Sequence, residues 1–143
     1  MIPDLTREGQ LPSGIHDTTM GELRRRFGSA NAARVRLMKG VSAVVGRARR
    51  AGAKALYING SFVTDKKDPG DWDALLVFPV GYNASSEDSL VLADRERMKM
   101  EHDADLFTVM EDDREVLDHF LNVVFGTDRQ RRPKGLLRIR LKG

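Results

Sequence analysis

Cysteine is absent from the 143 residues, which removes disulfide staples, thiolate zinc sites and cysteine nucleophiles together and is consistent with a reducing cytosol. Any metal held by this chain must be bound through oxygen or imidazole. Imidazole is scarce too, since His16, His102 and His119 show no zinc spacing. No apolar stretch approaches the roughly 20 residues needed to span a bilayer. The start, Met1-Ile2-Pro3-Asp4-Leu5, has neither the basic opening nor the apolar run of a secretory signal, so the expectation is a soluble, cytoplasmic protein without membrane contact. No internal repeat is present. A chain of this length fits one domain that buries about two thirds of its unfolded surface unaided.

Acids are missing from a long stretch as well. Between Leu23 and Lys54 stand ten Lys or Arg and no acid; from Asn59 to His119 there are sixteen acids and six bases; after Gly126, seven bases and one acid. The net charge of +3 therefore hides an acidic middle between two basic ends. Crowded carboxylates raise the cost of ionising one another and need cations, from a metal or from the basic segments. Either the segments neutralise one another across the fold, or the basic surface meets a nucleic acid or an acidic partner.

Periodicity then sets out the elements. Residues 1–15 read as an N-terminal arm laid over the domain or left loose, and 16–143 as a single domain. Thr19 with Glu22 has capping-box spacing and predicts a short helix to Phe27. Leu37, Met38, Val41, Val44, Val45 and Ala48 form one apolar stripe on a helix that Gly52 ends, with Arg34, Arg36, Arg47, Arg49 and Arg50 largely off it. Strands are expected at Lys54 to Asn59, Asp71 to Phe78 and Ala104 to Met110, and an edge or half-exposed strand at Leu136 to Leu141. A charged helix is expected around Leu90 to Lys99 and a buried one over Asp113 to Phe125. The predicted class is α+β, a small mixed β-sheet flanked by helices.

Chemistry concentrates where the first strand ends. Gly60-Ser61 is followed, after nine residues, by Asp71-Trp72-Asp73. Alternation along a strand puts Asp71 and Asp73 on one face and Trp72 on the other. Glycine lets an anionic ligand approach the backbone, serine and neighbouring amides can donate to phosphate oxygens, and paired carboxylates suit magnesium, a hard ion that takes oxygen ligands. A second ion would need another carboxylate; Asp105 is the first choice and Asp103, of the same strand parity, the second.

At these residues the chain resembles the nucleotidyltransferase superfamily of DNA polymerase beta in its minimal form. That superfamily's motif is a strand ending in Gly-Ser or Gly-Gly, a short connection, Asp-x-Asp on the next strand and a third acid on a later one. Tyr57-Ile58-Asn59-Gly60-Ser61, Asp71-Trp72-Asp73-Ala74-Leu75-Leu76 and Asp105-Leu106-Phe107 supply the parts. Further likeness, through Ser61-Phe62-Val63-Thr64, Pro69-Gly70-Asp71 and the run from Thr127-Asp128-Arg129 to Lys134-Gly135, extends to small bacterial single-domain nucleotidyltransferase-like proteins, some linked to toxin-antitoxin systems.

The resemblance implies a nucleotidyltransferase-like fold in which Asp71 and Asp73 coordinate two magnesium ions and Asp105 helps deprotonate the acceptor. Gly60 and Ser61 would hold a nucleoside triphosphate such as ATP, with Lys66 and Lys67 the nearest cations. The implied reaction moves a nucleoside monophosphate to a protein or RNA hydroxyl and releases pyrophosphate. Where active members of that superfamily often carry an arginine-bearing turn after Gly-Ser, this chain has Phe62-Val63-Thr64. Two other readings stand beside this one: a non-catalytic, antitoxin-like module that neutralises a toxin-like protein partner by contact, and a nucleic-acid binder using the basic helices.

Overall fold

The basic helix is capped at both ends by its own sequence. At its start the Asn31 side chain accepts from the Arg34 backbone N–H, and Gly52 ends it in the left-handed conformation (φ 84°), with its N–H turned back to the Ala48 and Arg49 carbonyls. In this computed structural model, which describes residues 1–141, the order is β1 (Gly14–Asp17), α1 (Met20–Phe27), α2 (Ala32–Ala51), β2 (Ala55–Asn59), β3 (Trp72–Phe78), α3 (Glu87–Ala93), α4 (Arg95–His102), β4 (Ala104–Met110), α5 (Arg114–His119) and β5 (Gly135–Arg140). A 3-10 turn, Ser61–Val63, follows β2, and a π-helical turn, Phe120–Val124, follows α5.

The five strands form one mixed sheet in the order β1-β5-β2-β3-β4. The outer pairs β1/β5 and β3/β4 are parallel, and β2 runs antiparallel to both β5 and β3. Alternation sorts the strand residues into two layers. Leu56, Ile58, Trp72, Ala74, Leu76, Phe78, Leu106, Leu137 and Ile139 pack against α1 to α4. Tyr57, Leu75, Val77, Val109 and Leu136 face the other way, where Leu117, Phe125 and the tilted pair Phe107–Phe120 cover the middle of the sheet. The run Ala74 to Phe78 is buried on both faces, as a strand covered by helices on each side must be.

The structure departs from the sequence expectations at five places. The arm takes the first of its two expected forms, laid over the domain with Ile2 and Leu11 in the main core, but Gly14–Asp17 becomes a strand across the expected boundary at residue 15. With β1 at the edge, β5 is an interior strand and not the edge its Leu/Arg alternation suggested. The charged helix is two helices that meet at Asp94, whose side chain accepts from Arg97 N to start the second. The last helix reaches only His119 before its turns widen. In addition, Asp71 lies one residue ahead of β3 rather than within it. Among the described residues, no helix is long and apolar enough to cross a membrane.

The acid-free helix finds its counter-charges across the fold. Arg47 and Arg50 converge on Asp88 at 3.0 and 3.4 Å, and Arg36 reaches Asp103 at 3.2 Å. Arg34 behaves differently. It precedes Leu37 and Met38 by three and four positions, so it continues the apolar stripe instead of leaving it, and it is buried. Its guanidinium donates to four backbone carbonyls: Phe27 and Phe62 at 3.1 and 2.6 Å, Thr64 and Lys66 at 2.8 and 2.6 Å. A single side chain thereby ties the end of α1 to the loop that leaves Gly60-Ser61.

Candidate active site

At one end of the sheet three polar residues stand side by side on the face turned away from α2. Register pairs Asn59 on β2 with Asp73 on β3, and Asp73 with Asp105 on β4, so neighbouring strands present their side chains together. Trp72 points into the opposite layer, fully buried, and its Nε1 donates to the His102 carbonyl at 2.9 Å. That anchor holds the start of β3 and leaves Asp71 and Asp73 to line an open cleft of about 810 Å³, which Gly60, Ser61 and Asp105 line as well.

Gly60 is required here for a reason beyond ligand access. Its backbone (φ 82°, ψ −169°) lies in a region almost confined to glycine. A Cβ at this position would stand 2.0 Å from Asp73 Oδ2, so the space that glycine frees is filled by the Asp73 carboxylate itself. We expect Gly60→Ala to cost about 1–3 kcal/mol of stability from backbone conformation alone and to push the Asp73 carboxylate off its position. Thermal unfolding together with a crystal structure of the variant checks both effects.

The electrostatics follow from crowding. Burial first, then the nearby Asp71 and Asp105 charges, push the Asp73 carboxyl up to about 6. Asp71 accepts from Lys99 Nζ at 2.6 Å and Asp105 from Arg95 Nη2 at 2.6 Å, both cations coming from one face of α4. The hydrogen bond to Asp71 holds the Lys99 ammonium above its usual range. Arg95 also lies over the Phe107 ring, 3.9 Å from its centre. Both ion pairs are about half exposed, a class worth roughly 0–1 kcal/mol, so an incoming ion can displace them at little cost.

The donor set fits a hard divalent cation in its chemistry: carboxylates, and an amide oxygen, Asn59 Oδ1, that is buried without a hydrogen-bond partner among the described residues. Among the described residues no three His, Asp or Glu side chains are gathered at ligating geometry. The two outer carboxylates are instead held by Lys99 and Arg95.

The site residues expected from the sequence are brought together unevenly. Asp71, Asp73, Asp105, Gly60, Ser61 and Lys66 share the cleft, whereas Lys67 lies outside its lining. Asp103 is excluded as the third carboxylate. It caps α4 in the left-handed conformation (φ 55°) and its side chain faces Arg36, outside the cleft lining. Asn59, Lys99 and Arg95 were missed. Only Asn59 left a sequence signal, a polar residue ending the face that Ala55 and Tyr57 begin.

The cleft is also lined by the segment between α5 and β5, folded around Asp128. That carboxylate accepts from Gln130 N, Arg132 N and Arg132 Nε at 2.8, 2.9 and 2.9 Å, and Thr127 bridges Pro133. The Arg132 hydrogen bonds hold the Asp128 carboxyl below its usual range. Arg129, Arg132 and Lys134 line the cleft from this segment.

No curated protein and no solved structure matches the chain. The model of a family of unknown function, DUF6932, matches residues 3–140, and with nearly the whole chain covered the protein belongs to that family.

Proposed function

We propose that this protein is a magnesium-dependent nucleotidyltransferase with a nucleotidyltransferase-like α+β fold, moving a nucleoside monophosphate from a nucleoside triphosphate to a hydroxyl of a protein or RNA acceptor. One observation carries the reading: a cross-strand row of Asn59, Asp73 and Asp105, joined by Asp71 and ended by Gly60-Ser61, in a single cleft. Asp71, Asp73 and Asp105, with the unpartnered Asn59 oxygen, would hold the metal. Bound there, magnesium supplies positive charge against the phosphate oxygens and makes the acceptor hydroxyl more acidic. An Asp105 carboxylate oxygen takes the proton of that hydroxyl. Ser61 donates its hydroxyl to a phosphate oxygen, and Lys66 adds positive charge at the rim.

Asp73 is the centre of the row, and its raised pKa supports the reading, because a carboxylate this reluctant to ionise gains most from a cation beside it. Calorimetric titration of each nucleoside triphosphate tests it. We expect binding in magnesium at least about tenfold tighter than in EDTA, and transfer of labelled nucleotide to an acceptor only in magnesium. Equal binding in both buffers with no transfer overturns the proposal.

A second reading, a non-catalytic module neutralising a protein partner by contact, has one observation in its favour: Lys99 and Arg95 already neutralise two of the carboxylates within the chain. Under it the double variant Asp71→Ala, Asp73→Ala keeps neutralising the partner. Loss of neutralisation with an intact fold removes that reading.

A further inference from the structure

The turn after Gly60-Ser61 brings no cation of its own, because Phe62 and Val63 are buried in the core and Arg34 is consumed by backbone carbonyls behind it. Lys66 is exposed at the far end of that loop. A polyphosphate entering the cleft needs more counter-charge than Lys66 gives at the rim, and the loop from Gly126 to Gly135 can supply it.

Lys134 is the one cation of that loop that is half-buried, the three arginines being exposed. Its backbone is fixed on both sides, Lys134 N donating to the Gly126 carbonyl at 2.9 Å and Gly135 N to the Leu11 carbonyl at 3.1 Å. Its side chain is half-buried in the cleft lining and within electrostatic reach of Asp73 and Asp128. Yet it forms no ion pair within 4.0 Å among the described residues, whereas Arg132 is locked onto Asp128 at 2.9 Å and Lys99 and Arg95 onto Asp71 and Asp105. Burying an ammonium without a partner is costly. Burial accordingly pulls the Lys134 ammonium below its usual range, opposed by Asp73 and Asp128. A folded loop that holds a lysine in this state is arranged for an anion that arrives from solution.

We propose that Lys134, at the entry to β5 and lining the same cleft as Asp73, is the principal phosphate-binding residue of the cleft, taking the terminal phosphates of a nucleoside triphosphate, with Arg129 assisting at the rim. The role of nucleotide donor for that ligand rests on the reading of the cleft given above; binding of the polyphosphate group by Lys134 does not. Cations for the phosphates and carboxylates for a metal thus line one cleft.

Inorganic tripolyphosphate in EDTA at low salt is the probe, read by calorimetry on the full chain. Wild type is expected to bind. Lys134→Met, which keeps the half-buried aliphatic stem, should weaken binding about tenfold or more, as loss of a charge-assisted hydrogen bond does, and Lys134→Arg should restore most of it. Arg131→Gln, in the same loop but outside the cleft lining, should change binding less than about twofold, and Asp73→Asn should leave it unchanged or tighter because a repelling charge is gone. No tripolyphosphate binding by wild type, or equal losses in Lys134→Met and Arg131→Gln with both folded by circular dichroism, overturns the proposal. Tripolyphosphate binding that needs Lys134 in a protein that transfers no nucleotide would sustain the anion site and remove the reaction. Transfer that persists in Lys134→Met with an unchanged KM would do the reverse.

Discussion

Asp73→Asn is expected to lower magnesium-dependent nucleotide transfer by about a hundred- to a thousandfold, the usual loss when one preorganised electrostatic group is removed from a reaction centre, and at the same time to make the metal-free protein more stable. The two effects have one cause. In the folded protein the Asp73 carboxyl titrates near 6 rather than 3.8, because burial and the Asp71 and Asp105 charges oppose its ionisation. A carboxyl whose folded pKa lies above its unfolded one destabilises the fold once it is ionised. That cost is complete above about pH 6 and fades as pH falls toward 4, the reverse of a salt-bridged aspartate. Allowing for its partial exposure, the cost near neutral pH is about 1–2 kcal/mol. Melting curves in EDTA should therefore show the variant above wild type near neutral pH and level with it near pH 4. A variant less stable than wild type at neutral pH would show that the Asp73 charge is satisfied by the protein alone.

Arg34→Met is expected to cost about 3 kcal/mol and to lower the melting temperature by about 10 °C. Methionine fills much of the stem's volume, so the loss comes from hydrogen bonding. Removing the guanidinium leaves the carbonyls of Phe27 and Phe62 without their donor in a buried setting and frees those of Thr64 and Lys66 beside it. Each orphaned buried group costs about 1–3 kcal/mol, reduced where water can reach it. Because the released segment is the loop after Gly60-Ser61, hydrogen exchange should accelerate there first. Arg34→Lys should recover little, since one ammonium cannot reproduce a fork that serves four acceptors. A loss under about 1 kcal/mol would mean the loop holds its shape without this anchor.

Much of this architecture was readable in the residues, and what was not has identifiable causes. The stripe of α2 and its end at Gly52 were legible because a long amphipathic helix repeats its signal over several turns. The bounds of β4 and the positions of Asp73 and Asp105 followed from period-two alternation, yet alternation favours Asp103 and Asp105 alike. Only the helix end at Asp103, with its left-handed backbone, separates them. β1 escaped notice because four residues with three exposed carry no burial pattern. Arg34 escaped because a charged residue at a stripe position looks like the stripe's end; its burial depends on carbonyls brought from residues 27 and 62–66, which no local pattern encodes. Lys99 and Arg95 reach the carboxylates only because α4 packs against β4, the strand beside β3, a tertiary fact.

The pairing of β1 with β5 joins Gly14 to Gly135 and Asp17 to Arg138. Asp17 and Arg138 are 121 positions apart, and their bidentate ion pair, at 2.7 and 2.9 Å, closes nearly the whole chain into one loop. Contacts of such separation form late in folding, after local helices and hairpins have reduced the entropy of closure. On the ribosome they must wait for β5 to emerge, and until then β2 presents a bare edge and the arm has nothing to lie against. The carboxylates, with β2, β3 and β4, are synthesised first; the cations of residues 129–134 arrive just ahead of β5, the strand that completes the sheet. A nascent chain would thus carry an acidic half-site before its positive counterpart exists, and the order of synthesis would decide when the cleft first attracts an anion.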